Sequence, residues 1–226
     1  MKPKIITVDG PSGVGKGTIA LMIAKKLCFK YLDSGSLYRS LALKLYEKNN
    51  NFHEVLSNLD YWMANIFIDF QYKDAENITI FVNNENYTDK IRNEKVANLA
   101  SQIALDSRVR EMLERYQRNY LSEPGLVADG RDMGTKVFSE ADIKFYLTAN
   151  VKKRAERRLN QLKDQGISAN LPDLVQKLLL RDKADMERLI SPLMPAENAI
   201  VIDTSYISAA EVFKITLKII KRKFKI

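Results

Sequence analysis

The chain has 226 residues, 46% of them apolar and 28% charged, which suits one globular unit with a packed core and excludes a disordered or collagen-like composition. A single cysteine excludes a disulfide framework and any cysteine-cluster zinc site, and points to a reducing compartment. The formal charge of +8, from 36 Lys plus Arg against 28 Asp plus Glu, favours anionic partners.

The opening stretch reaches a Gly-rich turn at Gly10 before a secretory apolar segment could form. No apolar run approaches the roughly 18 residues of a membrane span. A soluble, cytoplasmic protein is expected, with no membrane partner. Short apolar runs then alternate with longer helical patterns, which is the signature of βα units and a parallel sheet. Residues 5–9, 29–33, 126–129, 143–148 and 199–203 read as five buried strands. Several end in a carboxylate or run into glycine, where an open α/β sheet places its ligands.

The first helix is expected over 16–27, with Ile19, Ile23 and Leu27 at helical spacing, and a second over 37–47, ended by Asn49, Asn50 and Asn51. Residues 65–90 differ. Ile66, Ile68 and Phe70, then Ile78, Ile80 and Val82, alternate with period two, so small antiparallel strands are expected as an insertion between the second and third parallel strands. Helices resume over 93–105 and 108–121. A basic helix over 151–163, a connection through Gly166 and a helix over 172–190 follow the fourth strand. Cys28, between the first helix and the second strand, is expected as a small core residue, and the lone His53 as a surface group. The basic end at Lys221, Arg222, Lys223 and Lys225 reads as a solvated helix terminus that complements the helix dipole.

Gly10, Pro11, Ser12, Gly13, Val14, Gly15, Lys16, Gly17 and Thr18 follow the first strand and open the first helix, matching G-x-x-x-x-G-K in the context that the motif needs. Glycines let main-chain N–H groups turn inward around phosphate oxygens, the helix N-terminus adds partial positive charge, and Lys16 adds a mobile full one. The residue after Lys16 is Gly17, and the hydroxyl comes one step later at Thr18. The usual Ser/Thr ligand for Mg²⁺ is absent from its common place, so no direct protein ligand to the metal is expected; phosphate oxygens and waters would hold it. The Gly-Lys-Gly-Thr ending resembles small-molecule kinases that act on nucleoside monophosphates.

Further runs sharpen this. Asp33-Ser34-Gly35-Ser36-Leu37-Tyr38-Arg39, Val96 to Ser101, Asp129-Gly130-Arg131-Asp132-Met133-Gly134-Thr135 and the spacing Arg181, Asp185, Arg188 together resemble bacterial cytidylate kinases. Ser36 departs conservatively, from a small apolar residue. Read without the family, Arg131 and Asp132 project at the sheet's C-terminal edge, and Arg181, Asp185 and Arg188 share one helix face, which could equally be a solvated surface.

The resemblance implies a P-loop α/β kinase with a five-stranded parallel sheet, a small antiparallel β insertion in the monophosphate-binding part and a short lid. It implies one domain over 1–226, with a core of about 1–62 and 122–226, an insertion of about 63–121 and a lid of about 154–172. It further implies that Ser101, Arg110 and Asp132 read the base, Arg181 and Asp185 hold the pentose, Arg39, Arg131 and Arg188 bind the acceptor phosphate, and Ser34 and Asp129 belong to the same site. Of the three cations on the basic helix, Arg154, Arg157 and Arg158, the last two are favoured as catalytic groups of the lid beside Lys16, Arg131 and Arg188. Asp203-Thr204-Ser205 falls where related enzymes place a loop near the adenine.

The reaction so implied moves the γ-phosphoryl group of ATP, with Mg²⁺, to CMP or dCMP in a monomeric enzyme. Other nucleoside monophosphate kinases, acting on UMP, AMP or GMP, are the nearest alternatives. A basic P-loop ATPase that binds nucleic acid is the alternative from another class. It ranks lower because no aromatic single-strand platform or base-reading module is visible, and no nucleic-acid partner is expected.

Overall fold

β1 (Lys4–Asp9) runs through the middle of the molecule, paired in parallel with β6 (Gly125–Gly130) on one side and β7 (Ile143–Thr148) on the other. Ile5, Ile6 and Val8 are buried because helices cover both faces of the sheet, which is why the strand reads as a nearly continuous apolar run. β2 (Lys30–Asp33) extends the sheet beyond β6 and β8 (Ile200–Asp203) extends it beyond β7; β8 is not the buried strand expected, because at the sheet edge only Ile202 is buried and Val201 is exposed. The order is β2-β6-β1-β7-β8. The computed structural model describes residues 2–47, 61, 64–72, 78–164 and 166–226. His53 and the asparagine cluster at 49–51 lie outside the described residues.

Seven α-helices are described: α1 (Lys16–Leu27), α2 (Ser34–Glu47), α3 (Glu94–Ile103), α4 (Ser107–Arg118), α5 (Val151–Asp164), α6 (Leu171–Met186) and α7 (Ala209–Phe224). A smaller antiparallel sheet contains β3 (Ile68–Tyr72), β4 (Ile78–Val82) and β5 (Glu85–Asn86). The alternating residues expected there pair as Ile68 with Val82 and Phe70 with Ile80. From β1 the chain passes to β2 on the far side of β6, while from β6 it passes to β7 on the other side of β1. The connections diverge at the carboxyl ends of β1 and β6, and a crevice opens there.

Three further expectations are corrected. α2 begins at Ser34, directly after β2, because the Asp33 carboxylate accepts the Ser36 N–H at 2.9 Å and its hydroxyl at 2.5 Å and so closes the first turn. The helix expected to reach residue 190 ends at Met186; Leu189 is fully exposed, so continuing the helix would bury no further apolar face, and Ser191 takes a left-handed conformation (φ 51°). Cys28 is not in the core. It is exposed, sits at the C-cap of α1 with φ 54°, and donates its backbone N–H to the Ala24 and Lys25 carbonyls.

The α5–α6 hairpin has a small apolar cluster of its own, Ala155, Leu162, Leu174 and Leu178, separate from the main core. At the crevice the turn after β1 is tight. Gly10 has φ +149°, and a Cβ there would lie 2.2 Å from the Leu147 carbonyl oxygen. Gly10→Ala is therefore expected to destabilise the fold by at least about 1–3 kcal/mol, the usual range for overpacking, read as a lower urea midpoint; an unchanged midpoint would contradict this packing.

Candidate active site

The crevice opens into a cavity of about 950 Å³ whose walls bring together most of the residues singled out in the sequence. From the Gly-rich loop it takes Ser12 to Lys16 and Thr18. Gly10, Pro11 and Gly17 lie behind the wall: Gly10 is packed on β7, and Gly17 is so close to Asp129 that a Cβ would meet the carboxylate at 2.9 Å. Lys16 leans back to donate to the Pro11 carbonyl at 3.3 Å. It keeps part of its surface open to the cavity but is otherwise enclosed by protein. Burial, and then the positive charge of Arg131, bring its ammonium down to about 8.

Opposite the loop stand Arg39 from α2, Arg131 after β6, Arg181 from α6 and Arg188 just beyond it. Burial lowers the proton affinity of Arg39 against the pull of Asp33, and burial followed by the charges of Arg131 and Arg39 takes Arg181 down to about 10. Burial also lowers Arg188, against the opposing pull of Asp185. The Nε of Arg181 is buried with no hydrogen-bond partner among the described residues. Arg131 is the exception. Burial pulls it down, but Asp185, bonded to its Nε at 2.8 Å, more than offsets this and raises it. Although the helix ends early, Arg188 still reaches the same wall: its Nε donates to the Asp185 carbonyl at 3.3 Å and its Nη2 to the Ser191 carbonyl at 2.8 Å.

At one end of the cavity Arg110 and Asp132 form a buried ion pair. Arg110 is carried by α4 and Asp132 by the turn after β6. The Tyr38 ring stands beside the pair, 5.9 Å from the Arg110 guanidinium, and burial pushes its hydroxyl up to about 12. Ser101, on α3, is exposed on the same cavity, and its hydroxyl donates to the Ala97 carbonyl of its own helix at 3.0 Å. Ser34 and Asp129 also lie on the wall. Burial raises Asp129 to about 7, against the pull of Lys16.

Asp9 was visible only as a strand-end carboxylate, and sequence reasoning gave it no task. Its two oxygens accept the backbone N–H groups of Met133 at 2.9 Å and Gly134 at 2.7 Å, which anchors the turn bearing Arg131 and Asp132 to β1. Burial raises its carboxyl to about 6. Tyr38 and Asp33 were likewise missed as wall residues, although both lie inside a motif that the sequence had marked.

The three arginines of α5 separate. Arg158 lies on the wall without a hydrogen bond or ion pair among the described residues. Arg157 also lies on the wall, but its guanidinium is engaged: it donates to the Thr204 hydroxyl at 3.1 Å and to the Thr204 and Val14 carbonyls. Thr204 in turn donates to the Val14 carbonyl at 3.0 Å, so the segment after β8 is fastened to the Gly-rich loop. Arg154 is not a lid cation facing the cavity. It is buried, and its charge is met by Asp182 of α6.

The cytidylate kinase family model matches residues 6–222. The cytidylate kinase of Shewanella loihica is 44% identical over 219 residues, covering 97% of this chain and 95% of that protein. The cytidylate kinase of Shewanella halifaxensis is 42% identical over 223 residues, covering 98% and 96%. In fold alone, the crystal structure of an uncharacterized protein from Eubacterium ventriosum aligns with a TM-score of 0.50 at 12% identity, covering 98% of this chain and 99% of that one. Among the described residues, no helix is long and apolar enough to cross a membrane. A Gly-rich loop facing a wall of arginines, inside a chain matched almost end to end, leads to one assignment: the chain belongs to the cytidylate kinase family.

Proposed function

We propose that this site transfers the γ-phosphoryl group of ATP to CMP or dCMP, giving ADP and CDP or dCDP, and that the chain does so as a cytoplasmic monomer with the domain limits expected from the sequence. The observation that carries the reading is the opposition, across one cavity, of a helix-opening phosphate loop and a set of guanidiniums that outnumber the carboxylates among them. Such a wall is complementary to phosphate oxygens on both the donor and the acceptor. An acceptor monophosphate is already ionised near pH 7, so alignment and charge neutralisation suffice and no strong general base is needed.

In this reading Ser12 to Lys16 and Thr18 of the Gly-rich loop hold the donor phosphates, with Gly10, Pro11 and Gly17 shaping the turn behind them, while Arg39, Arg131 and Arg188 hold the acceptor phosphate. Arg181 and Asp185 hold the pentose. Arg157 and Arg158 close over the transferring group, Arg158 with the freer guanidinium. Asp132 accepts from the exocyclic amine of cytosine, and Arg110 and Ser101 serve the ring nitrogen and carbonyl. Uracil presents an oxygen where Asp132 needs a donor, and an unpaired buried group costs about 1–3 kcal/mol. Among the described residues no group of three or more His, Cys, Asp or Glu could hold a metal. The Thr18 hydroxyl and the Asp33 and Asp129 carboxylates beside the loop are hard oxygen donors that suit the waters of a Mg²⁺ arriving with ATP. The ion would neutralise phosphate charge.

A coupled ADP-release assay across the common nucleoside monophosphates is expected to give its highest kcat/KM with CMP or dCMP; a preference for AMP or GMP would contradict the base assignment. Asp132→Ala is expected to lower kcat/KM for CMP roughly tenfold or more, by the cost of one unpaired group, and to narrow the CMP:UMP ratio. An unchanged ratio would remove Asp132 from base recognition. Lys16 and its neighbour Asp129, raised to about 7, set the pH dependence together, both turning less favourable to phosphate as pH rises. The Lys16 ammonium has about 8 as its midpoint in the free protein and is favoured by bound phosphate, so ATP binding takes up protons around that pH and weakens above it. Calorimetry in buffers of different ionisation enthalpy should show this uptake, with Kd rising toward about tenfold per pH unit at most for each of the two groups; a Kd flat from pH 7 to 9.5 would contradict it.

A further inference from the structure

Arg154 of α5 and Asp182 of α6 are buried charges that the chemistry above does not use. Arg154 donates from Nη1 to Asp182 Oδ1 at 3.1 Å and from Nη2 to Oδ2 at 2.5 Å, a two-pronged pair. The same guanidinium donates from Nη1 to the Ser12 carbonyl of the phosphate loop at 3.1 Å, and from Nε to the Ala149 carbonyl after β7 at 3.1 Å. Gly13 rests directly on it: a Cβ there would lie 3.2 Å from the Arg154 Cβ. One side chain therefore touches the donor loop, the end of the central sheet and α6.

The position on α6 matters. Asp182 directly follows Arg181 and is three residues before Asp185, the two groups assigned to the acceptor's pentose. The α5–α6 hairpin packs on its own apolar cluster, separate from the main core, so its pose over the sheet is set in large part by polar ties. The buried ties on α6 are Arg154 to Asp182 at the donor loop and Arg131 to Asp185 at the acceptor, and an exposed pair, Lys177 with Glu94, joins it to α3. We propose that Arg154 and Asp182 are a positioning pair that couples the two substrates: a displacement of the phosphate loop on binding donor is passed through the guanidinium to α6, which moves the acceptor's ligands into place.

The inference rests on the two-substrate reading and deepens it. Its test is the reciprocal binding effect of the two ligands in the full chain. The Kd for CMP is measured by calorimetry with and without a non-hydrolysable ATP analogue, for the wild type and for Arg154→Lys. Lysine keeps the charge but cannot reach Asp182, Ser12 and Ala149 together. The wild type is expected to bind CMP about fivefold or more tightly when the donor site is filled, the lower end of ordinary coupling. Arg154→Lys is expected to reduce that factor to under about twofold, with each ligand's Kd alone changed less than the coupling, and with kcat falling more than KM for ATP rises.

Removing one partner of a buried pair can unfold a protein, whereas replacing both with apolar groups is often tolerated. The double variant Arg154→Met/Asp182→Leu is therefore measured beside it. It is expected to recover the wild-type thermal midpoint without recovering the coupling, which separates positioning from mere stability. Coupling at the wild-type factor in either variant would overturn the proposal, as would independent binding of the two ligands to the wild type. Failure of the wild type to bind CMP or the ATP analogue at all would instead overturn the proposed function.

Discussion

Positive charge held close together and partly out of water is the constraint on which the site depends. Arg39, Arg181 and Arg188 have lowered proton affinities chiefly because burial makes the cationic form harder to keep, and the charge of Arg131 adds to this at all three. A fold avoids this arrangement unless something negative completes it. Only part of the compensation is internal: Asp185 satisfies Arg131, and Asp132 satisfies Arg110. The remainder is the electrostatic preorganisation that phosphoryl transfer requires, supplied before any ligand arrives.

The sheet makes that concentration possible. Divergent connections at β1 and β6 leave open the space into which Lys16 and Arg131 project, while the Asp9 carboxylate clamps the turn after β6 to the strand beside it. The rest of the acceptor wall comes from α2, α4 and α6, which are distant in sequence. Long-range bonds hold them: Lys44 of α2 to the Tyr87 hydroxyl, Arg118 of α4 to the Val137 carbonyl, and Asp182 and Asp185 of α6 to Arg154 and Arg131. Rigid strands thus carry the reacting centre, and the surrounding helices supply ligands from the sides.

Much of this was legible in the sequence. The five parallel strands, the limits of α1 and the phosphate loop follow from apolar runs, helical spacing and glycine placement, all of which are local properties. The alternation at Ile68, Phe70, Ile78, Ile80 and Val82 likewise marks paired strands without knowledge of their partners. The errors are of one kind. Arg154 was set apart from Arg157 and Arg158, but its buried pairing with Asp182 was not foreseen, because a charge on a basic helix carries no local sign of a partner on another helix. Cys28 looked like a core residue because an apolar helix precedes it, yet a left-handed cap turns it to solvent. The face formed by Arg181, Asp185 and Arg188 survives the early end of α6 only because Arg188 folds back onto Asp185 and Ser191. Asp9 and Tyr38 acquire their places from tertiary contacts alone.

A single bisubstrate compound, adenosine and cytidine joined through a pentaphosphate, tests the central claim most directly. If the cavity seats both nucleotides with their phosphates meeting at the arginine wall, one molecule binds per chain. It is then displaced competitively by ATP and, separately, by CMP, and it binds more tightly than either. Displacement by only one of the two, or affinity no better than that of ATP alone, would contradict a shared cavity.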